Sequence, residues 1–234
     1  MNNIKLLKGW HMPEYDTHYE KMMKEIDGKW EYQADTRKFA LSFVKNWNLA
    51  LDIGGNIGFW SEELCNKFKK VWAFEPHPLN IECYRKNMKN YSNWQLEEVA
   101  LSDHQEENAT LFASPDESGN VSLVSDGVEN GSSHRKLQSE QLSKLHTDVK
   151  KLDDYLSEFE GQNIDFIKVD VQAHEKEIVY GGLELLKNHN AVLCLELPLR
   201  NDAERKYHND VENKLRSIGY IRQGNMRKET IFTK

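Results

Sequence analysis

The order of apolar and polar positions changes near residue 48. Before that point, apolar residues recur at helical spacing over 14–27 and again over 36–47. After it, short apolar runs alternate with amphipathic stretches. We therefore expect an N-terminal helical appendage over residues 1–47 and a main domain over residues 48–234.

The main domain alternates predicted strands with predicted helices. The strands cover 49–53, 71–74, 94–101, 164–170 and 191–197, and the helices cover 59–69, 78–90, 175–187 and 202–218. Two short runs around Gly224-Asn225 add an antiparallel pair at the edge. This order predicts an α/β, Rossmann-like fold with a mostly parallel seven-stranded sheet and helices on both faces. Residues 113–146 are rich in turn formers, which predicts a lid or substrate loop.

A glycine-rich segment, Asp52-Ile-Gly-Gly-Asn-Ile-Gly58, joins the first strand of this domain to the helix that follows. Glycines allow a tight turn and a close approach to a ligand, and a helix start presents free N–H groups. Glu75 ends the second strand, where a carboxylate can bind both hydroxyl groups of a ribose. The segment and Glu75 together predict a site for a nucleoside cofactor.

Asp52 helps to distinguish between two candidate nucleoside cofactors, a dinucleotide and S-adenosylmethionine. The glycine spacing differs from the dinucleotide fingerprint G-x-G-x-x-G, and a carboxylate at the turn repels a pyrophosphate but attracts an amino group. S-adenosylmethionine carries an amino group and a sulfonium and lacks a phosphate. The pattern therefore favours this cofactor. An NAD-dependent oxidoreductase and a non-catalytic domain that binds a nucleoside cofactor are the alternatives.

The same segments resemble the FkbM-type methyltransferase family over roughly residues 45–197. The resemblance rests on Asp52–Gly58, Ala73–Asn80, Asn87, Val99–Asp103, Val149–Leu156 and Ile164–Glu175, in that order. Two positions differ from the family pattern. Gly55 stands where the family usually has alanine, and Gln172-Ala173 stand where it usually has glutamate and glycine. The missing glutamate keeps the non-catalytic alternative open.

The resemblance implies a class I methyltransferase fold with S-adenosylmethionine as cofactor. Glu75 would hold the ribose, Ala100 and Leu101 would lie beside the adenine, and Asp170 would face the sulfonium end. The full set of implied cofactor-binding residues is Asp52, Gly54, Gly55, Asn56, Gly58, Glu75, Pro76, Ala100, Leu101 and Asp170.

The resemblance also implies a small acceptor with a hydroxyl group, such as a sugar or another hydroxylated metabolite. A hydroxyl acceptor must lose a proton, and the candidate bases are Asp170, His174, Glu175 and Glu196. His174 also suits a helix cap, and Glu175 also suits a first-turn carboxylate. Glu196 lies in an apolar strand, where a buried acid needs a partner. Tyr32 and Gln33 are further candidates for reaching the cofactor.

Charge and composition exclude several other classes. The chain has 234 residues, a net charge of −7 and no block of Lys or Arg, which disfavours nucleic acid and anionic membrane surfaces as partners. We see neither an apolar run of about 18 residues nor a signal-peptide core. The three cysteines are far apart and lie in apolar segments, so we expect free thiols and a cytoplasmic location. No metal-ligand pattern stands out, and the oligomeric state stays open.

Overall fold

Residues 4–41 fold mainly as two β-hairpins in the computed structural model, which describes residues 3–125, 128–129 and 138–234. The elements of this segment are β1 (Ile4–Leu7), β2 (Trp10–Pro13), α1 (His18–Met22), β3 (Lys24–Ile26), β4 (Lys29–Glu31) and α2 (Ala34–Leu41). The prediction of a helical appendage is therefore wrong for most of the segment. Helix α1 lies within the helix predicted over 14–27 and α2 overlaps the one predicted over 36–47, but each covers only part of the prediction.

The turn chemistry explains this difference. Asp27 and Gly28 have φ angles of 51° and 80°, and Ile26 pairs with Lys29 across them. Two residues with positive φ form the turn that suits a two-residue hairpin, and Asp-Gly is a preferred sequence for it. The Lys8-Gly9 pair, with φ angles of 54° and 84°, closes the first hairpin in the same way. These local turns override the helical spacing of the neighbouring apolar residues.

The main domain contains the central sheet, its flanking helices and a smaller second sheet. In chain order its elements are β5 (Leu49–Ile53), α3 (Phe59–Lys67), β6 (Lys70–Phe74), α4 (Pro78–Asn87), β7 (Trp94–Glu97), β8 (Ala100–Ser102), β9 (Glu106–Ala113), β10 (Val121–Ser122), β11 (Ser143–Lys151), β12 (Ile164–Val169), α5 (Glu175–Gly181), α6 (Leu183–Asn188), β13 (Val192–Glu196), α7 (Asp202–Arg216), β14 (Ile221–Met226) and β15 (Glu229–Thr233). Short 3-10 helices lie at Ser139–Gln141 and Leu152–Tyr155.

Seven strands form the central sheet among the described residues, in the order β14-β15-β13-β12-β5-β6-β7. All neighbouring pairs are parallel except those that β15 makes with β13 and β14. The predictions of an α/β fold and a mostly parallel sheet are confirmed. Every residue of β5 and of β13 is buried, which is why these strands have near-continuous apolar sequences. The strand order reverses between β5 and β12, where ligands bind in such sheets.

A second sheet, in the order β10-β9-β11-β8, lies beside the first. The predicted strand over 94–101 is in fact two strands, because β7 pairs with β6 whereas β8 pairs in parallel with β11. Strands β9 and β11 were not predicted, and β11 occupies the last part of the predicted loop over 113–146. Three consecutive exposed residues open β9, so it lacks the apolar run that marks a buried strand.

The predicted helix over 175–187 is interrupted between α5 and α6. A Cβ atom at Gly181 would overlap the carbonyl oxygen of Ser102, so the end of α5 lies directly against β8. This close approach places the end of α5 beside the second sheet. Among the described residues, no helix has the length and apolar character needed to cross a membrane.

Two leucines test how much of the stability comes from the sheet core. Leu51 in β5 is fully buried, whereas Leu6 in β1 is 66% exposed. We expect Leu51→Ala to lower the free energy of unfolding by about 2–5 kcal/mol, because it leaves a cavity in a packed core. Leu6→Ala should change it by less than about 0.5 kcal/mol. Urea denaturation measures both, and equal losses would contradict the assignment of β5 to the core.

Candidate functional site

A cavity of about 290 Å³ opens at the carboxyl ends of β5, β6, β12 and β13, beside the reversal of strand order. Its walls include the turn after β5, the end of β6 and the residues that follow β12. Parts of the N-terminal segment and of residues 117–123 also line it. One end of the cavity is largely apolar and the other is rich in acidic side chains.

The turn after β5 brings three strand ends together. Gly54 has a φ of 79°, and a Cβ atom there would overlap the carbonyl oxygen of Asp170. The N–H groups of Gly54 and Gly55 donate to the carbonyl oxygen of Phe74 at 3.0 and 2.9 Å. Asn56 N donates to Glu75 Oε2 at 2.8 Å. Only a turn without side chains allows the backbone this close approach to its neighbours and to the cavity.

The apolar end has the features of a nucleoside site. Pro76, Ala100 and Leu101, which the sequence analysis placed beside the cofactor, line it together with Glu75. Burial raises the pKa of Glu75 to about 7, although hydrogen bonds from His77 and Asn56 oppose that rise. Asn80 Oδ1 is buried without a hydrogen-bond partner. Flat apolar walls suit a purine base, and the carboxylate and the free amide oxygen offer acceptors to hydroxyl or amino groups of a ligand.

Asp52 lies behind the turn and does not line the cavity. The structure therefore does not support its predicted direct contact with a ligand. Its Oδ2 accepts from Ser61 Oγ at 2.6 Å, and its Oδ1 lies 3.3 Å from Lys168 Nζ, which donates to the Gly54 carbonyl oxygen at 2.7 Å. Burial alone lowers the pKa of Lys168, but the Asp52 and Asp170 carboxylates raise it above its usual value. Asp52 thus holds the ammonium group that supports the turn.

Gly58 also lies outside the cavity lining. Its φ is 100° at the position before α3, and its neighbours are Met88 and Tyr84. It therefore serves the turn into the helix and its packing, and the predicted contact with a cofactor is not seen in the structure.

The acidic end contains Asp170 and Glu196, two of the predicted acids. Gln172 Nε2 donates to Asp170 Oδ1 and to Glu196 Oε2, both at 2.9 Å, and Lys228 Nζ lies 2.9 Å from Glu196 Oε1. Burial favours a raised pKa at Asp170, but the Lys168 ammonium overcomes it and lowers the value. Burial and the Asp170 carboxylate raise the pKa of Glu196 well above its usual range. In the described ranges, no three His, Cys, Asp or Glu residues are grouped to hold a metal ion.

His174 and Glu175 occupy different environments. His174 lines the cavity, and its Nε2 lies 2.9 Å from Ser102 Oγ, while burial lowers its pKa. Glu175 Oε1 accepts from Val171 N at 3.1 Å, and its Oε2 lies 3.4 Å from the Tyr207 hydroxyl oxygen. Glu175 does not line the cavity, so the structure contradicts its prediction as a site acid. Its carboxylate instead accepts from a backbone N–H in the segment between β12 and α5.

The N-terminal segment contributes side chains to both ends. Tyr32 and Gln33 line the cavity, as suggested from the sequence. Gln33 Oε1 accepts from Trp60 Nε1 at 2.9 Å, and its Nε2 donates to Glu229 Oε1 at 3.2 Å. Tyr19 OH donates to Asn56 Oδ1 at 2.9 Å. The sequence analysis missed Tyr19 and Glu229. The one available signal for Glu229 was an acid opening an otherwise apolar strand.

Residues 114–123, here called the covering segment, lie over the turn after β5. The carbonyl oxygen of Ser118 accepts from Asn56 Nδ2 at 3.0 Å and from Asn80 Nδ2 at 2.8 Å. The Ser118 backbone N–H and hydroxyl donate to Asp16 Oδ2 at 2.8 and 2.7 Å. Ser118 therefore joins the covering segment to the turn and to the N-terminal segment. The rest of the predicted loop up to β11 includes residues 126–127 and 130–137, which lie outside the described residues.

Comparison with known proteins identifies the family. The family model described as "Methyltransferase FkbM domain" matches residues 52–222. The chain belongs to the FkbM methyltransferase family. This match covers the turn, the end of β6 and the acidic end up to β13, and it ends at the start of β14. S-adenosylmethionine is accordingly its cofactor, and the comparisons do not support either the NAD-dependent oxidoreductase or the non-catalytic alternative.

Two relatives give the extent of the similarity. The 2-O-methyltransferase NoeI of Sinorhizobium fredii is 29% identical over 142 residues, which are 58% of this chain and 58% of NoeI. The crystal structure of the methyltransferase FkbM from Methylobacillus flagellatus KT is 16% identical, with a TM-score of 0.54 over 84% of this chain and 48% of that one. The second likeness shows the fold. The chain thus matches about half the length of each relative.

A pair of glycine variants tests the turn. Gly54 and Gly161 both have positive φ, but a Cβ atom at Gly161 has no neighbour within 4 Å. Both alanine variants carry a backbone penalty of roughly 1–2 kcal/mol, whereas Gly54→Ala also displaces the Asp170 carbonyl. We expect Gly54→Ala to weaken S-adenosylhomocysteine binding by at least about tenfold and Gly161→Ala to leave it unchanged. Isothermal titration calorimetry measures both affinities, and equal affinities would show that the turn does not shape the site.

Proposed function

We propose that this domain transfers a methyl group from S-adenosylmethionine to a hydroxyl group of a small polar acceptor, such as a sugar. The observation that carries the proposal is one cavity with a nucleoside-like end and an acidic end on either side of Asp170. The name of NoeI, a 2-O-methyltransferase, supports an oxygen acceptor. When bound, the cofactor supplies an already activated methyl group, so the protein's own work is alignment and proton transfer.

The apolar end would hold the nucleoside. In this proposal Glu75 accepts hydrogen bonds from the ribose, and Pro76, Ala100 and Leu101 form the walls around the adenine. The backbone of Gly54, Gly55 and Asn56 lies beside the methionine part. Asp52 and Gly58 act indirectly, by holding this turn in shape. The apolar walls and the carboxylate at the end of β6 support this assignment.

The acidic end would hold the acceptor. Asp170, Glu196, Tyr32 and Gln33 surround it with hydrogen-bonding groups, and Lys228 adds a cation. Carboxylate oxygens accept hydrogen bonds from hydroxyl groups, and an amide both donates and accepts. This set suits a molecule with several hydroxyl groups, and it suits an apolar acceptor poorly because buried polar groups would lose their partners. His174 lies on the side of the cavity that faces the second sheet, where its Nε2 contacts Ser102 Oγ.

The function can be tested with a panel of methyl glycosides. Purified protein is incubated with S-adenosylmethionine and each glycoside, and mass spectrometry detects the methylated product. We expect O-methylation of at least one glycoside together with formation of S-adenosylhomocysteine. Binding of S-adenosylhomocysteine without methylation of any hydroxylated acceptor would contradict the acceptor class.

A glutamate pair tests the cofactor assignment. We expect Glu75→Gln to weaken S-adenosylhomocysteine binding by about 10- to 100-fold, since hydrogen bonds to a charged group contribute about 1.5–3 kcal/mol. Glu63→Gln on α3 removes a surface ion pair with Lys67 and should leave the affinity unchanged. Calorimetric titration of both variants compares them. Full affinity in Glu75→Gln would exclude the ribose role.

We also propose that the covering segment closes the cofactor end, as part of the lid predicted over 113–146. Both oxygens of Asp16 are used: Oδ1 accepts from Tyr19 N and Oδ2 from Ser118. An amide nitrogen cannot accept hydrogen bonds, so Asp16→Asn should loosen the segment and speed S-adenosylhomocysteine dissociation by about tenfold. Asp35→Asn, at an exposed position on α2, is the control. Stopped-flow tryptophan fluorescence measures both rates, and identical rates would count against closure.

A further inference from the structure

One carboxylate oxygen at the acidic end has no hydrogen-bond partner. Glu229 opens β15, directly opposite Glu196 in β13, and is 6% exposed. Its Oε1 accepts from Gln33 Nε2 at 3.2 Å, whereas its Oε2 is buried without a donor. An unpartnered buried carboxylate oxygen is costly, and such a cost is typical of a group that awaits a ligand. Glu229 also lines the cavity.

The other two acids at this end, Glu196 and Asp170, differ from Glu229 in their partners. Both oxygens of Glu196 are within 2.9 Å of a donor, from Lys228 and Gln172. Asp170 Oδ1 accepts from Gln172, and its Oδ2 lies 4.0 Å from the Lys168 ammonium. Among the described acids that line the cavity, Glu229 is the one with a buried carboxylate oxygen that lacks a donor.

We propose that Glu229 is the general base of the methyl transfer, and that its Oε2 receives the proton of the acceptor hydroxyl group. The proposal rests on the function proposed above. The acceptor oxygen forms a bond to the methyl carbon, the carbon–sulfur bond breaks with its electron pair going to sulfur, and the proton goes from the acceptor oxygen to Glu229. The proton leaves to solvent when the product departs.

The surroundings of Glu229, Glu196 and Asp170 give these three acids different pKa values. Burial and, to a smaller extent, the Asp170 carboxylate raise the pKa of Glu229 to about 7. The pKa of Glu196 is raised well above its usual range, whereas that of Asp170 is lowered, which makes Asp170 a weak base. A general base works best with a pKa near the operating pH. Glu229 meets this condition.

The charged and titratable groups that interact with Glu229 belong to four parts of the fold. Asp170 follows β12, Glu196 and Cys194 belong to β13, Lys228 precedes β15, and Tyr32 belongs to the N-terminal segment. Burial also raises the pKa values of Tyr32 and Cys194, so both stay neutral at neutral pH. Only Lys228 and the carboxyl groups therefore change the charge that Glu229 experiences.

Gln33 is the positioning residue for this base. It has a φ of 55° at the position before α2, and its side chain joins Trp60 to Glu229. The Trp60 indole fixes the amide so that its nitrogen faces Glu229 Oε1. That contact occupies Oε1, so Oε2 is the carboxylate oxygen that has no hydrogen-bond partner.

The test compares Glu229→Gln with Glu196→Gln and Glu107→Gln, using a glycoside that the wild type methylates. Glu107 lies exposed on β9. We expect the wild-type kcat to rise with pH to a plateau with an apparent pKa near 7, because ionised Glu229 is the active form. Glu229→Gln should lower kcat by about 10²–10⁴-fold and abolish this rise, while S-adenosylhomocysteine affinity is retained. Glu196→Gln should keep a pH-dependent rise, and Glu107→Gln should match the wild type.

A second measurement does not need an acceptor. NMR of protein with ¹³C-labelled glutamate carboxyl groups follows Glu229 in the S-adenosylhomocysteine complex, and the Glu229→Gln spectrum assigns its signal. We expect titration near pH 7, whereas titration near the ordinary value of 4.5 would overturn the proposal. Wild-type kcat and pH dependence in Glu229→Gln, or loss of S-adenosylhomocysteine binding, would overturn it as well. If the wild type methylates no glycoside, the proposed function fails, and the NMR titration alone decides the basicity of Glu229.

Discussion

The ammonium group of Lys168 supports the site from inside the sheet. Lys168 and Asp52 are directly paired on neighbouring parallel strands, and the same ammonium binds the Gly54 carbonyl oxygen and lies near Asp170. A buried cation is stable only when nearby carboxylates and hydrogen bonds repay its lost hydration. The partners of Lys168 are the carboxylates at the ends of β5 and β12 and the carbonyl oxygen of Gly54 in the turn after β5. The shape of the turn after β5 therefore depends on the contacts that the Lys168 ammonium makes with these partners.

The same arrangement explains why acids of the cavity differ in character. Asp170 lies near the lysine and is held ionised, whereas Glu196 lies beyond it, against Asp170 and Gln172. Like carboxylates at close range cannot all ionise, so one must keep its proton. The chain separates the basicities of its acids by unequal access to Lys168 and Lys228. Acids whose basicities are separated in this way can take different roles within one site.

Much of the central sheet could be predicted because buried parallel strands have continuous apolar sequences. The strand over 49–53 was predicted with its observed bounds, and Glu75, Pro76, Ala100, Leu101 and Asp170 were expected at the cavity. The hairpins were missed because the turn signal of Asp27-Gly28 was outweighed by helical spacing. Asp52 and Glu175 were placed at the ligand because sequence order shows proximity to a strand end but not side-chain direction. Glu229 was missed because its partners lie far away along the chain.

The pairing of Gln33 with Glu229 joins residues 196 positions apart. A contact of such long range requires the closure of a large loop of chain, which lowers the chain entropy. Such contacts therefore form late in folding. The turn after β5 and Glu75 lie within 19 positions of each other, so their contact closes a far smaller loop. During synthesis, which proceeds from the N-terminus, Gln33 is made long before its partner Glu229, so this contact cannot form until β15 has been made. A growing chain can thus form the contact between the turn and Glu75 well before the contact that joins the N-terminal segment to β15.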